Sequence, residues 1–252
     1  MSEAIAQLID SVRSQWDPQF ELVHNEFVPW APWHTPVSSA KVALVSTGGV
    51  YLKKGLHQAF ETENPYGDAS FREFPSVVVN DDLDIAETAA NSRYAREDIN
   101  VIFPLERLYQ LVDSGYVGSV APFAYSFMGQ ITRPTSLLAN YAPSVAYRMK
   151  RMGADVALVV AAGLVGHQTA GLVARAIELA GVPTVVLGTS RELLEAVGVP
   201  RAVVVRHPEG APMGNPGNAG KHQYLLRELF DAAWAFEGPG LVAELGFAWS
   251  GQ

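Results

Sequence analysis

The stretch from Val159 to Gly171 constrains the fold of this chain more than any other. It begins within an apolar run of strand length, Asp155 to Ala161, and apolar positions at roughly helical spacing follow Thr169. The pattern predicts a strand, a turn from Gly163 to His167, and a helix. In parallel α/β sheets such turns lie at the carboxyl ends of strands, where the next helix offers unpaired N–H groups. We therefore expect a ligand site at this turn.

The same alternation of strand and helix extends along most of the chain. It predicts strands over residues 41–46, 99–103, 155–161, 183–187 and 201–206. It predicts helices over residues 4–16, from about 81, from 104 to 115, and over 134–152, 168–180 and 221–236, with a short helix after Thr189-Ser190-Arg191-Glu192. Such alternation is typical of parallel βαβ units.

The predicted fold class is α/β, with layered, mainly parallel sheets in two Rossmann-like halves and a cleft between them. Residues 1–40 are expected to form an N-terminal helix and a Pro- and Trp-rich arm that packs on the core or on a second subunit. Residues 41–133 and 134–252 are expected to form the first and second α/β halves of one compact unit.

Charge and hydropathy exclude several classes of partner. The formal charge of −8 argues against nucleic acid and anionic membranes, which select for basic patches. The apolar stretches are too short to span a bilayer, and residues 1–10 lack the pattern of a secretory signal. A cytoplasmic location is the expectation.

The chain contains no cysteine, which excludes disulfides, thiolate nucleophiles and cysteine-ligated metals. Its six histidines show no HxH or HExxH spacing. We predict no cofactor and no metal, with a site assembled from His167, His207 and Asp68 as a minor alternative. A Ser–His–Asp arrangement of Ser46 or Ser126 with His167 and Asp68 is a second minor alternative, because no GxSxG motif is present.

Several motifs in consistent order resemble the selenoprotein B component of glycine, sarcosine, betaine and D-proline reductases. The motifs are Lys41 to Tyr51, Gly67 to Arg72, Asp98 to Leu108, Gly118 to Pro122 with Tyr125 to Gly129, and the turn with His167-Gln168. The resemblance implies a component that binds a small amino acid or betaine-like compound and cleaves a carbon–nitrogen bond reductively through selenocysteine or cysteine.

This chain departs from the resemblance where the chemistry would occur. Gly163 and Gly166 stand where the family's redox-active pair would fall, and Asn91 and Arg93 stand where many members have histidines before Tyr94. Glycine is no nucleophile, so reductase chemistry by the family's mechanism is not expected from this chain alone.

The candidate site residues follow from their chain positions and from the resemblance. His167 is the candidate for proton transfer, assisted by Tyr94, Ser46 and Thr47, because an unperturbed imidazole titrates near neutral pH. Arg72 is the candidate clamp for a substrate carboxylate. The other candidate binding residues are Gly48, Gly49, Asp68, Ser70, Arg93, Gly163, Gly166, Gln168, Thr169 and His207. Gln168 and Thr169 could orient a ligand or merely cap the helix, and the two glycines could serve packing alone.

Two functions are compatible with these residues. The first is an enzyme subunit that holds a small amino-acid-derived carboxylate and uses acid–base or positioning chemistry in place of thiol chemistry. The second is a catalytically silent binding or scaffold subunit of a reductase-like complex whose redox centre lies in a partner. A homo-oligomer or a redox partner subunit is expected in either case.

Overall fold

The computed structural model describes residues 2–53, 57–86 and 92–249. The strands are β1 Lys41–Ser46, β2 Val50–Leu52, β3 Phe71–Pro75, β4 Leu83–Ile85, β5 Ser119–Val120, β6 Phe123–Phe127, β7 Val156–Val160, β8 Thr184–Gly188, β9 Arg201–Arg206 and β10 Leu241–Ala248. The helices are α1 Glu3–Gln15, α2 Ser92–Glu97, α3 Leu105–Asp113, α4 Ala142–Arg151, α5 Leu164–Leu179, α6 Arg191–Val197 and α7 Ala219–Trp234.

One eight-stranded sheet forms the centre of the molecule. Its strands lie in the order β10-β9-β8-β7-β1-β6-β3, and β5 also pairs with β1. All neighbours are parallel except β3, which pairs antiparallel with β6. Strands β2 and β4 form a separate antiparallel pair. The mainly parallel α/β class is therefore confirmed.

Helices cover both faces of the sheet. Val42 and Leu44 of β1 pack in the same cluster as α3 and α7, whereas Ala43 and Val45 pack with α4, α5 and α6. Because successive side chains of a strand point to opposite faces, both faces of the central strands must be apolar. This requirement explains the continuous apolar run of β7, which is buried throughout.

The order in which strands are added to the sheet reverses between the parallel neighbours β1 and β7. After β1 it continues through α3 to β6 on one side, and after β7 it continues through α5 to β8 on the other side. The loops that follow β1 and β7 therefore diverge. Crevices of this kind, at the carboxyl ends of parallel strands, are where open α/β sheets bind ligands.

The strands predicted over 41–46 and 201–206 are confirmed as β1 and β9, and the helices predicted over 4–16 and 221–236 are confirmed as α1 and α7, with bounds one or two residues earlier. The helix predicted over 134–152 exists, with a π-helical turn at Leu137–Tyr141 before α4. One sheet includes strands from residues 41–133 and from 134–252. The division into two Rossmann-like halves with a cleft between them stays a prediction.

Two predicted elements are wrong. The helix expected from Asp81 is a single 3-10 turn at Asn80–Asp82 followed by β4. The side chain of Asn80 donates to Glu106, 3.0 Å away, and caps no helix. The strand expected over 99–103 is a 3-10 turn, because Asp98 accepts a hydrogen bond from the N–H of Asn100 and so begins a turn.

The Pro- and Trp-rich arm packs on the core through buried charge. The guanidinium of Arg201 lies 3.8 Å from the ring centre of Trp30 and donates to the carbonyl of Ala31 at 2.6 Å. Glu178 pairs with Arg201 at 3.5 Å and accepts from the N–H of Ala31. Trp33 adds edge contacts to α7. The packing of the arm on the core is confirmed by these contacts.

Candidate functional site

A cavity of about 220 Å³ lies at the carboxyl ends of β1 and β7 and is called the β1–β7 cavity below. Thr47 and Gly48 after β1 line it, and so do Gly163 and Gly166 at the start of α5. The crossover turn recognised in the sequence therefore borders a cavity at the point where the sheet topology predicts a ligand. Gly129, which follows β6, completes this side of the cavity.

Glycine at these positions permits the close approach of three backbone segments. A Cβ atom on Gly129 would lie 2.7 Å from the carbonyl oxygen of Thr47, and one on Gly166 would lie 2.9 Å from Thr47 Oγ1. A Cβ atom on Gly48 would lie 2.5 Å from Ile102 Cδ1. Packing therefore accounts for the small residues on this side of the cavity. Gly163 is different, because its Cβ would meet only Glu209 Oε1, at 3.6 Å.

Helix α1 forms the opposite wall, a contribution that the sequence did not indicate. Leu8, Ser11, Gln15 and Trp16 line the cavity. The apolar side of α1 is buried in a cluster with Val165 of α5, which brings the helix against the crossover turn. A contact across some 150 residues of chain leaves no local pattern, so sequence reasoning could not find this wall.

Glu209 lies at the amino end of α5 and was also missed. Its Oε1 accepts a hydrogen bond from the N–H of Leu164 at 3.0 Å. A carboxylate at a helix N-terminus is favoured by the helix dipole and by the unpaired N–H groups of the first turn. Glu209 is the one charged side chain among the described residues that line the cavity, whose other walls are mainly apolar. Its Oε2 has no hydrogen-bond partner among the described residues.

His167 is fully buried in the first turn of α5 and does not line the cavity. Its Nε2 accepts from the N–H groups of Thr189 and Ser190, at 2.8 and 3.2 Å, so the ring proton lies on Nδ1. Nδ1 lies 2.6 Å from the carbonyl oxygen of Gly163 and donates to it. Burial lowers the pKa of His167 to about 4, which keeps the ring neutral. This geometry favours a positioning role over proton transfer.

Ser46 and Thr47 end β1 and are both buried. Ser46 Oγ donates to the carbonyl of Ile102 at 2.7 Å and accepts from the N–H of Gly48 at 3.0 Å. Thr47 Oγ1 accepts from the N–H of Ala162 at 3.1 Å and thereby ties the end of β1 to the end of β7. Both hydroxyls serve the local backbone.

Asp68, Ser70 and Arg72 lie together, but they line a different cavity that shares no lining residue with the β1–β7 cavity. Asp68 accepts from Ser70 and pairs with Arg72 at 3.2 Å. Arg72 also donates to Ser70 Oγ and to three backbone carbonyls, those of Gln58, Ala59 and Phe71. Because a guanidinium has five N–H groups, these bonds leave none for a substrate carboxylate. The geometry favours a structural role for Arg72.

Four further candidates also lie outside the lining of the β1–β7 cavity. Gln168 accepts from the N–H of Val23 at 2.7 Å, and Thr169 donates to the carbonyl of Gly129 at 2.9 Å. Both side chains are buried and fix neighbouring segments. Neither side chain caps α5, because the helix begins at Leu164. His207 Nδ1 lies 3.0 Å from the carbonyl oxygen of Pro212, and Gly49, with φ of 64°, forms the turn between β1 and β2.

Tyr94 and Arg93 interact with each other. Arg93 donates to the hydroxyl of Tyr94 at 2.5 Å, and its guanidinium lies 4.5 Å from the ring centre. The ring of Tyr94 packs edge-on against Trp249, with centroids 5.1 Å apart. Neither residue lines the β1–β7 cavity. Asn91 lies outside the described residues.

The two minor alternatives are wrong for the part of the chain that the structure describes. No group of three or more His, Asp or Glu side chains there could hold a metal ion, so His167, His207 and Asp68 form no metal site. Ser46 and Ser126 bond to backbone groups, and His167 contacts neither. Within the same residues no helix is both long and apolar enough for a bilayer crossing.

Comparison with known proteins identifies the family. The family model for glycine/sarcosine/betaine reductase selenoprotein B matches residues 2–162. The chain belongs to this family. The match ends at Ala162, one residue before Gly163, so it covers β1 and β7 but none of α5.

Curated relatives are reductase subunits. D-proline reductase subunit gamma of Acetoanaerobium sticklandii is 31% identical over 189 residues, which cover 75% of this chain and 76% of the relative. Glycine reductase complex component B subunit gamma of Carboxydothermus hydrogenoformans is 26% identical over 91% of this chain and 53% of the relative. The chain thus spans about half the length of this glycine reductase relative. No solved structure gives a significant match.

Proposed function

We propose that this chain is the ligand-binding subunit of a reductase-like complex and that it holds an amino-acid-like molecule in the β1–β7 cavity. One observation carries the proposal: the cavity combines apolar walls with a single described charge, the carboxylate of Glu209, at the amino end of α5. The cavity is smaller than the roughly 300 Å³ at which sites for drug-sized ligands begin. A compact ligand suits it.

Glu209 is the proposed partner of the ligand's amine. Its Oε1 accepts from the N–H of Leu164, and Oε2 is the oxygen proposed to pair with a cation. The N–H groups of Val165 and Gly166, in the first turn of α5, have no partner within the helix and are the proposed partners of the ligand's carboxylate. The relatives support this choice, because the proline and glycine in their names carry both groups.

The redox centre is proposed to lie in a partner subunit. The chain has no cysteine, and glycine stands at both positions where the resemblance puts the redox pair. The relatives carry the names of subunits and components of complexes, which supports an assembly with other chains. The buried, fully bonded state of His167 and Ser46 also favours binding over catalysis by this chain.

A second candidate is acid–base catalysis by this chain, because Glu209 is an ionisable group in the cavity wall. In that case Glu209 would carry the proton that sequence reasoning assigned to His167. Turnover of a bound amino acid by the isolated chain, lost in Glu209→Gln, would favour this candidate over the binding subunit.

The test of the leading proposal is calorimetric titration of the whole chain with glycine, sarcosine, betaine and D-proline. We expect saturable binding of at least one, weakened about ten- to a hundredfold in Glu209→Gln, because a hydrogen bond to a charged group contributes about 1.5–3 kcal/mol. Gln keeps an oxygen for the N–H of Leu164. The matched control is Glu237→Gln at an exposed position. Absence of binding, or equal binding by Glu209→Gln, would overturn the proposal.

A further inference from the structure

The segment of residues 57–72, called the support segment, lines none of the β1–β7 cavity but contacts residues that do. Its first contact is made by Phe60, which is 4% exposed. Phe60 belongs to a small buried cluster with Ala86 and Met128. Ala86 lines the cavity, and Met128 directly precedes the lining residue Gly129. The ring of Phe60 therefore backs the wall at Ala86.

The second contact of the support segment is with Gln130, which also lines the cavity. A Cβ atom on Gly67 would lie 1.8 Å from the carbonyl oxygen of Gln130. The φ of Gly67 is 80°, a conformation that glycine adopts without steric cost. The carbonyl of Tyr66 accepts from the N–H of Thr132 at 3.1 Å. The segment thus packs against the backbone of Gln130 and is bonded to the chain two residues later.

The third contact connects the support segment to the α1 side of the cavity. The guanidinium of Arg133 lies 3.8 Å from the ring centre of Tyr66. The same guanidinium pairs with Asp17 at 2.8 Å. Asp17 directly follows Trp16, which lines the cavity beside α1. One segment of chain is therefore connected to the walls at Ala86, at Gln130 and at α1.

Arg72 fixes the shape of the support segment. It donates to the carbonyls of Gln58 and Ala59, at 2.7 and 3.1 Å, and pairs with Asp68 at 3.2 Å. Its guanidinium lies 4.0 Å from the ring centre of Phe60. A planar guanidinium can make these bonds and stack on a ring at the same time. Arg72 thereby joins the beginning of the segment to its end and holds Phe60 in place.

We propose that the support segment sets the width of the β1–β7 cavity and so selects ligands by size, with Arg72 as a positioning residue. The inference deepens the function proposed for that cavity and rests on it for the choice of ligands. Because protein interiors are close-packed, a wall backed by a fixed aromatic ring resists the added volume of a larger ligand. Loosening the segment should relax the size limit and leave Glu209 in place.

The first test is calorimetric titration of the whole chain with glycine, D-alanine, D-proline and D-pipecolate, which increase in size. In the wild type, we expect affinity to fall about tenfold or more at the first member that outgrows the cavity. In Arg72→Lys and in Phe60→Ala, this fall should occur at a larger member or shrink to about threefold or less. Lysine keeps a cation beside Asp68 but lacks the planar fork and its stacking.

Arg227→Lys is the matched control for Arg72→Lys. It removes a guanidinium that lies 4.6 Å from the ring centre of Tyr116, outside the lining of the β1–β7 cavity. A loss of stability alone would not change which ligand is the first to be rejected, so this variant should keep the wild-type size limit. An unchanged limit in both Arg72→Lys and Phe60→Ala, with melting temperatures that show both folded, would overturn the inference.

Hydrogen exchange without ligand tests the same inference independently of binding. The N–H of Ala86 donates to the carbonyl of Gly49 at 2.9 Å, and the N–H of Thr132 donates to that of Tyr66. In Arg72→Lys, but not in Arg227→Lys, both amides should exchange about three- to tenfold faster relative to β7. Unchanged exchange would overturn the inference even if an amino acid binds. Faster exchange in a chain that binds none of the ligands would support the role of Arg72 and overturn the proposed function alone.

Discussion

At the scale of single residues, His167 illustrates how a reactive side chain can serve the fold. It joins the first turn of α5 to the turn that precedes α6, mainly through hydrogen bonds with the backbone, and Nε2 also lies 3.4 Å from Thr189 Oγ1. The sequence could place a histidine at the crossover turn. It could not show that two N–H groups from residues 189 and 190 converge on Nε2, because that contact depends on how β8 pairs with β7.

The neutral state of His167 makes stability depend on pH. Its pKa is about 4 in the folded protein and near 6.5 when unfolded, so the unfolded chain binds a proton between these values and the folded chain does not. The contribution of His167 to the free energy of unfolding is therefore fully present above pH 6.5. It decreases as the pH drops toward 4, by roughly 3 kcal/mol in all.

We expect His167→Gln to flatten the dependence of unfolding free energy on pH between 6.5 and 4, because glutamine does not titrate. Urea unfolding of both proteins at several pH values measures the difference. His207 and His222 contribute to the same window in both proteins, since burial lowers the pKa of each. A variant profile as steep as that of the wild type would contradict the structural account of His167.

At the scale of elements, α1 is held against the cavity by an ion pair just beyond its end. Asp17 is buried and accepts two hydrogen bonds from Arg133, from Nε at 2.8 Å and from Nη2 at 3.0 Å. Hydrogen bonding to Arg133 lowers the pKa of Asp17 to about 2. The carboxylate therefore stabilises the fold above about pH 4, and this contribution is lost as the pH falls toward 2.

Asp17→Asn should loosen α1. Because Arg133 is 44% exposed, solvent screening reduces the contribution of the pair, and we expect a small decrease in the free energy of unfolding at neutral pH. Hydrogen exchange of the α1 amides should accelerate more than that of β7. Glu195→Gln, which breaks the exposed pair with Arg191, is the control and should have little effect. Equal protection of α1 in Asp17→Asn would show that apolar packing alone holds it.

Strands that are apolar on both faces were predictable, whereas the edge strand β10 was not. Strands β1, β7 and β9 are buried on both faces, so their sequences are nearly continuous apolar runs. Strand β10 lies at the sheet edge with alternate residues exposed and contains Glu244 and Gly246, so it gave no such run. Helix α5 was placed four residues too late, because Gly166 and His167 were assigned to the turn.

At the scale of the whole molecule, the topology locates the candidate site better than any residue does. Thr47, Gly48, Gly163 and Gly166 line the cavity because they follow β1 and β7, and the order of strands is what separates those two loops. The contribution of α1 and Glu209 depends on long-range packing. Sequence analysis can therefore identify the strand ends that line such a site, but not the segments distant in sequence that form its other walls.

The position of Glu209 also has a consequence for any thiol placed at the start of α5. A free helix N-terminus stabilises a thiolate, but here the carboxylate of Glu209 already occupies the amino end of α5. A sulfur at residue 163 would sit beside a negative charge. The carboxylate of Glu209 would therefore favour the protonated form of a thiol at residue 163.

Since the chain has no cysteine, a thiol introduced at Gly163 would be the only one present. We expect Gly163→Cys alone to react slowly with iodoacetamide, with a thiol pKa at or above the usual value of about 8.5. Adding Glu209→Gln should lower that pKa by about one unit, as seen in the pH dependence of alkylation. Melting temperatures would check that both variants fold, and equal thiol pKa values would contradict the argument. A thiolate at this turn would then require the removal of that carboxylate as well as the introduction of the sulfur.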